Sequence, residues 1–197
     1  MKTEIEAKFL NTDHSDIREK LKTLEAVCEA PMRLMRRAII DFGDRRLQRG
    51  KNNSYIRVRD EGDKTTLAYK RFTSLSIDGA KEIEVETSSF EDSVSILVNI
   101  GLEVVSLQES KRETWKVGGG EVVLDEWPWL NPYLEIEGES EEIVKSIAIS
   151  LGLDWSDAVF GDVMVAYRDQ YPHLSPDQTV GSLPEVRFGM ELPDFLQ

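Results

Sequence analysis

Glu4-Ile5-Glu6-Ala7-Lys8 places a charge on every second residue. Side chains alternate across a strand with period two, so Glu4, Glu6 and Lys8 share one face while Ile5, Ala7 and Phe9 cover the other. The alternation returns in Arg57-Val58-Arg59, in Glu82-Ile83-Glu84-Val85-Glu86 and in Glu135-Ile136-Glu137. A single strand of this kind is ordinary, because antiparallel sheets often leave one face in water. Its repetition points instead to a closed sheet whose inside is ionic.

Outward from these strands the chain reads as a meander. A strand over 3–10 precedes a helix opened by Asp13 or Ser15, with Ile17, Leu21, Leu24 and Val27 as its apolar stripe and Pro31 as its stop. Arg36 to Phe42, Leu47 to Gln48, Tyr55 to Arg59 and Thr65 to Lys70 read as strands, with turns at Gly43-Asp44, Gly50-Lys51-Asn52-Asn53 and Glu61-Gly62-Asp63. A turn segment over 74–80 leads to the strand over 82–86. A helix is predicted from Ser89 to Ile100, stopped by Gly101. Strands follow over 102–108, 112–117 and 121–126, the last two joined by Gly118-Gly119-Gly120. The rigid turn Trp127-Pro128-Trp129-Leu130-Asn131-Pro132 precedes a strand over 133–137, and further helices are expected from Ser140 to Leu151 and from Ser156 to Tyr167. Most connections are too short for a crossover helix, so an antiparallel barrel is favoured over a parallel sheet.

The chain has 197 residues and a net charge of −13. That charge argues against nucleic acid or an anionic membrane as partner. Its distribution is uneven: residues 33–71 carry twelve Lys or Arg against five Asp or Glu, whereas residues 121–197 carry sixteen acids against three bases. Two such stretches can converge on a polyphosphate and its divalent cations. One cysteine, Cys28, and no apolar run of signal-peptide or membrane-span length lead to the expectation of a cytoplasmic protein. With two histidines, His14 and His173, far apart in the chain, a metal would have to be held by oxygen.

Lys8, Arg57, Arg59, Lys70 and Arg112 are the candidate phosphate ligands, because a guanidinium fork matches phosphate geometry. Glu4, Glu6, Glu84, Glu86, Asp125, Glu135 and Glu137 supply the hard oxygens that Mg²⁺ or Mn²⁺ prefers. Against these, helix-surface pairs such as Glu19 and Lys20 read as solvation, and Trp115, Trp127, Trp129 and Tyr133 as packing or turn anchors. The basic run from Arg45 to Lys51 lacks the interleaved aromatics of a nucleic-acid site, and the triple glycine does not precede a helix as a phosphate-cradling loop would.

Taken in order, Glu4-x-Glu6-x-Lys8, Arg57-x-Arg59, Lys70, Glu84-x-Glu86, Arg112, Asp125 and Glu135-x-Glu137 resemble the CYTH family, the triphosphate tunnel metalloenzymes, over about residues 1–170. The resemblance implies an α+β fold: an eight-stranded antiparallel β-barrel forming a tunnel, with flanking helices. Residues 1–170 would be the tunnel domain and 171–197 a C-terminal extension packed on it. It also implies a metal-dependent enzyme acting on tripolyphosphate, ATP or thiamine triphosphate, as a monomer or homodimer. Lys8, Arg57, Arg59, Lys70 and Arg112 would grip phosphates, Glu4, Glu6, Glu135 and Glu137 would hold Mg²⁺ or Mn²⁺, and Lys8, Glu84, Glu86 and Asp125 would serve catalysis. Hydrolysis of the terminal phosphate is the leading expectation; class IV adenylate cyclase chemistry and non-catalytic polyphosphate binding are the alternatives. One position departs from the family: a lysine commonly stands two residues before the arginine matching Arg112, and here it is Ser110. Lys111 has the wrong parity unless a bulge re-aims it, so the tunnel is expected to hold one basic contact fewer.

Overall fold

A computed structural model describes residues 1–49 and 53–197. In chain order its main elements are β1 (Lys2–Phe9), α1 (His14–Thr23), β2 (Val27–Asp41), α2 (Arg46–Arg49), β3 (Ser54–Asp60), β4 (Thr65–Phe72), β5 (Ala80–Thr87), α3 (Phe90–Asn99), β6 (Glu103–Val117), β7 (Gly120–Glu126), β8 (Tyr133–Gly138), α4 (Glu141–Ser150), α5 (Met164–Gln170) and β9 (Glu185–Val186). The sheet order is β2-β3-β4-β5-β1-β8-β7-β6-β9, and pairing of β2 with β6 closes all strands but β9 into an antiparallel barrel. β1 joins two neighbours: Lys2 to Glu4 pair with β5, and Ile5 to Phe9 pair with β8.

The apolar core lies outside the barrel. Ala7 and Phe9 of β1, Val122 and Leu124 of β7, and Leu134 and Ile136 of β8 turn outward beneath Ile17 and Leu21 of α1 and Val144, Ile147 and Leu151 at α4. On the opposite side, Ala38, Ile40 and Val58 pack under Phe90, Val94 and Leu97 of α3. Each fully buried aliphatic side chain contributes about 1.5–3 kcal/mol, and that external core leaves the interior free for charge. Side-chain caps fix the helix starts: Asp13 Oδ1 accepts from Ser15 N at 2.8 Å, Ser89 Oγ from Asp92 N at 3.1 Å and Ser140 Oγ from Ile143 N at 3.4 Å.

Several expectations are corrected. The first helix ends at Thr23, and Val27 is the exposed first residue of β2 rather than a member of the stripe. Pro31 lies inside β2, where the register with β6 shifts between Ala30 and Arg33; the missing N–H is absorbed by that irregularity. Leu47 and Gln48 belong to α2 because the buried Asp41 carboxylate accepts from both of their backbone N–H groups, at 3.1 Å each. The turn expected over 50–53 falls partly on 50–52, outside the described residues. Strands expected over 102–108 and 112–117 are one continuous β6, which pairs with β2 along most of its length. The helix expected over 156–167 is shifted: Val159 bridges to Lys8 in extended form, with reciprocal N–H···O bonds of 2.9 Å, and α5 begins only at Met164.

The C-terminal residues pack on the barrel. β9 runs parallel to the part of β6 that β7 leaves unpaired, with Glu185 and Val186 opposite Leu107 and Gln108. Met164, Tyr167, Leu174, Val180, Val186 and Leu196 form a separate apolar cluster there. The Tyr167 and Tyr171 hydroxyls donate to the Pro128 and Trp129 carbonyls at 2.7 and 2.6 Å, tying α5 and the following residue to the 127–132 turn. Among the described residues no helix is long and apolar enough to cross a membrane.

Candidate active site

A cavity of about 1760 Å³ occupies the barrel and extends beneath residues 162–182. The period-two pattern brings Glu4, Glu6, Lys8, Arg57, Arg59, Lys70, Glu82, Glu84, Arg112, Glu135 and Glu137 onto its wall. The charges are sorted by strand. β5, β1 and β8 form an arc of carboxylates, with Lys8 among them and Lys70 of β4 beside them. β3, β2 and β6 form the facing arc, which presents the guanidinium groups of Arg33, Arg37, Arg57, Arg59 and Arg112.

In the carboxylate arc, Lys8 Nζ lies 2.9 Å from Glu6 Oε1 and 3.3 Å from Glu135 Oε1, and Lys70 Nζ lies 2.6 Å from Glu4 Oε2. Burial works against both ammonium charges, but the neighbouring carboxylates outweigh it and raise the pKa of Lys8 and Lys70. Burial likewise opposes ionisation of Glu6 and Glu135, yet Lys8 and its neighbouring bases hold both below the usual carboxylate range. Glu4 and Glu137 behave oppositely. Burial pushes Glu4 up to about 7, against Lys70 and with help from Glu82 and Glu6. Glu137 is raised by burial and by the charges of Glu4 and Glu6. This end of the arc holds more negative charge than its own lysines offset.

In the guanidinium arc, Arg57 Nη2 donates to Glu82 Oε1 at 3.1 Å and to Glu84 Oε2 at 2.8 Å. Arg59 pairs with Glu61 at 2.6 Å, and Arg33 reaches the same carboxylate at 3.0 Å. Arg112 grips Asp125 with both limbs of its fork, Nε to Oδ1 being 2.8 Å, and donates to Glu135 at 3.0 Å.

The candidate ligands for phosphate and metal therefore meet in one cavity, whereas two of the candidate catalytic acids stand apart. Glu86 is exposed and off the cavity wall: both it and Glu84 lie past the end of the β5–β1 pairing at Glu82, but Arg57 holds Glu84 to the wall and, among the described residues, no base holds Glu86. Asp125 is almost completely buried behind Arg112, so it acts on the cavity only through that side chain. Glu82, expected at a strand end, lines the cavity beside Glu84. Lys111 points outward, 3.1 Å from Glu126, with no bulge to re-aim it, and Ser110 is buried inside. Trp127 and Tyr133, read as packing or turn anchors, also border the cavity.

Arg33, Arg37 and Glu61 escaped the sequence reading. Both faces of β2 near Arg37 are covered, by α3 on the Ala38 and Ile40 side and by the barrel wall on the other, so hydropathy gives no parity signal there. The Arg36-Arg37 doublet was the available hint: one of two adjacent strand residues must face inward. Glu61 sits in a predicted turn and folds back into the cavity through Arg33 and Arg59, which local sequence does not encode.

Carboxylates and bases lining one cavity are chemically suited to hard cations and to a polyanion respectively. As the side chains stand, the carboxylates are drawn to lysines and arginines, and among the described residues no cluster is arranged as a ready coordination sphere. A family model for the CYTH domain matches residues 2–155. No curated protein matches. Among solved structures, a Vibrio parahaemolyticus protein proposed as an adenylate cyclase aligns with TM-score 0.71 at 16% identity, over 84% of this chain and 97% of its own. A Pyrococcus horikoshii OT3 protein aligns with TM-score 0.64 at 21% identity, over 79% and 93% of the two chains. A Hippeastrum protein proposed as an adenylyl cyclase, and described as revealing a dominant triphosphatase activity, aligns with TM-score 0.57 at 18% identity, over 88% and 98%. These likenesses share the fold, and the family match over most of the chain, resting on a barrel with this ionic interior, makes the protein a member of the CYTH family.

Proposed function

We propose that this protein is a metal-dependent triphosphatase that releases the terminal phosphate of an inorganic or organic triphosphate. The observation that carries the reading is the sorting of charge: guanidinium groups of Arg37, Arg57, Arg59 and Arg112 on one side of the cavity, and Glu4, Glu6 and Glu137 on the other. A linear polyphosphate fits the first arc through charge-assisted, forked hydrogen bonds. The second fits Mg²⁺ or Mn²⁺ by donor chemistry, and a cation relieves the crowding that adds to burial in raising the pKa of Glu4 and Glu137. Glu4, Glu6, Glu135 and Glu137 would hold it. When bound, such an ion offsets phosphate charge and acidifies water.

The chain's own groups then have distinct tasks. Arg57, Arg59 and Arg112 hold phosphate oxygens in line and stabilise charge on the transferred group, where removal of a single donor typically costs about 10²–10³ in rate. Lys8 and Lys70 face the phosphates from the carboxylate side. Glu84, bonded to Arg57 at the cavity edge, orients the attacking water, and Asp125 positions Arg112. The test is product analysis after incubation with tripolyphosphate or ATP and Mg²⁺ or Mn²⁺. Orthophosphate with pyrophosphate or ADP is expected. Cyclic AMP with pyrophosphate would replace this reading by cyclase chemistry, and tight binding without turnover would replace it by a binding module.

Metal affinity should depend on pH through Glu4. A carboxyl whose pKa is about 7 is mostly protonated below that pH and must release its proton to coordinate a cation. The Kd for Mn²⁺ is therefore expected to rise about tenfold per pH unit below 7 and to level off above 8. Calorimetric titration at several pH values measures it. A Kd constant from pH 6 to 8 would contradict the role given to Glu4.

A further inference from the structure

Arg37 differs from every other cation on the cavity's arginine arc. Among the described residues it has no carboxylate within ion-pair distance, although only 8% of it is exposed. Its Nη2 donates to Ser110 Oγ at 2.7 Å, its guanidinium lies 4.4 Å from the centre of the Trp127 ring, and its buried Nε has no hydrogen-bond partner. The charged groups nearest to it are mostly like charges. Arg59 is its register partner on β3, and Arg57 and Arg112 approach from either side, with Asp125 the main opposing charge. Burial, and then these arginines, lower its pKa to about 9. A side chain held out of water without a counter-charge costs several kcal/mol in the empty protein, and neither a hydroxyl nor a ring face returns that in full. Such a group needs an anion.

The register identifies what it substitutes for. β2 and β6 are neighbours, and Arg37 pairs with Gln108, so its guanidinium reaches along the inner wall to Ser110. Ser110 is buried on the inner wall of β6, at the position where the resemblance leads to the expectation of a lysine, and Arg37 reaches its short side chain there. We infer that Arg37 is a phosphate-oxygen ligand of the cavity, supplying from β2 the basic contact that Ser110 does not supply from β6. The contact is relocated between strands. Arg57, Arg59 and Arg112 must share their carboxylate partners when they take a phosphate, whereas Arg37 has none to release.

The inference rests on the polyphosphate reading above, and the test separates the two. Tripolyphosphate binding is measured by calorimetry without divalent metal, in EDTA, for the parent, Arg37→Gln and the double variant Arg37→Gln/Ser110→Lys, with thermal melts of each ligand-free protein. Loss of one charge-assisted contact should raise the Kd of Arg37→Gln about 10- to 100-fold. The ligand-free variant should melt no lower than the parent, because an unpaired buried charge has been removed. Returning a cation on β6 in the double variant should recover most of the affinity. A purely structural Arg37 would give the reverse: a lower melting temperature and unchanged affinity. Binding by Arg37→Gln within twofold of the parent, or failure of both variants to fold, overturns the assignment alone. A parent that binds tripolyphosphate but releases no phosphate overturns the hydrolase reading and leaves Arg37 in place, and a parent that does not bind it overturns both.

Discussion

Lys8→Ala is expected to reduce phosphate release from tripolyphosphate by about 10³-fold or more and to destabilise the fold by about 3–5 kcal/mol. Lys8 is 3% exposed and sits between Glu6 and Glu135. Its removal leaves two carboxylates facing each other in a cavity wall with their shared cation gone, and takes one ligand from the phosphate. The loss has a signature in pH. Lys8 is the main group that holds Glu135 below its ordinary pKa against burial. A depressed folded-state pKa stabilises the protein above the unfolded-state value and loses that contribution as pH falls toward the folded-state value. In the parent this occurs from about pH 5 downward, with the ordinary carboxylate value as reference. In Lys8→Ala the Glu135 contribution to acid lability should be smaller. Urea melts from pH 7 to 3, beside steady-state phosphate release, measure both effects. Turnover within tenfold of the parent would remove Lys8 from the site.

Arg112→Leu should lower kcat/KM by about 10³-fold and cost about 3–5 kcal/mol, because the arginine serves two carboxylates as well as the substrate. Asp125 is 1% exposed, and burial already raises its pKa against the pull of Arg112. Without the guanidinium the main group that holds its pKa down is lost, and burial raises it further. The double variant Arg112→Leu/Asp125→Leu separates stability from function: an apolar pair removes the orphaned charge, so most of the stability returns while kcat/KM stays low. Recovery of kcat/KM in that variant would show that Arg112 matters for packing and not for the phosphate. Greater stability loss in the double than in the single variant would contradict the account of Asp125.

The barrel was legible because alternating charge and hydropathy on β1, β3 and β8 carries one message, charge inside and apolar side chains outside beneath helices, while β5 keeps the charge parity but leaves Ile83 and Val85 half exposed. Glu4, Glu6, Lys8, Arg57, Arg59 and Glu135 could be placed on a common wall from parity alone. Parity says which way a residue points, not how far the neighbouring strand extends. It therefore could not separate Glu84, at the edge of the cavity, from Glu86, outside it: both lie past the end of the β1–β5 pairing, and Arg57 holds Glu84 to the wall. Arg37 was hidden for a related reason, since both sides of β2 are covered there. The short α2 in place of a strand depends on the buried Asp41 carboxylate, and the displaced α5 on the Lys8–Val159 bridge. Both are contacts between elements, invisible to local pattern.

The order of strands in the barrel differs from their order in the chain, and this bears on how the protein is made. β1 finds one neighbour in β5 and the other only in β8, while β2 waits for β6. Pairings between segments so distant in sequence close large loops and form slowly, late on the folding route. The Glu4-x-Glu6-x-Lys8 strand thus reaches Glu135 and Glu137 only after most of the barrel has been synthesised. A nascent chain holds scattered halves of the charged cavity wall and no complete one, so the proposed grip on a polyanion would arise together with closure of the barrel.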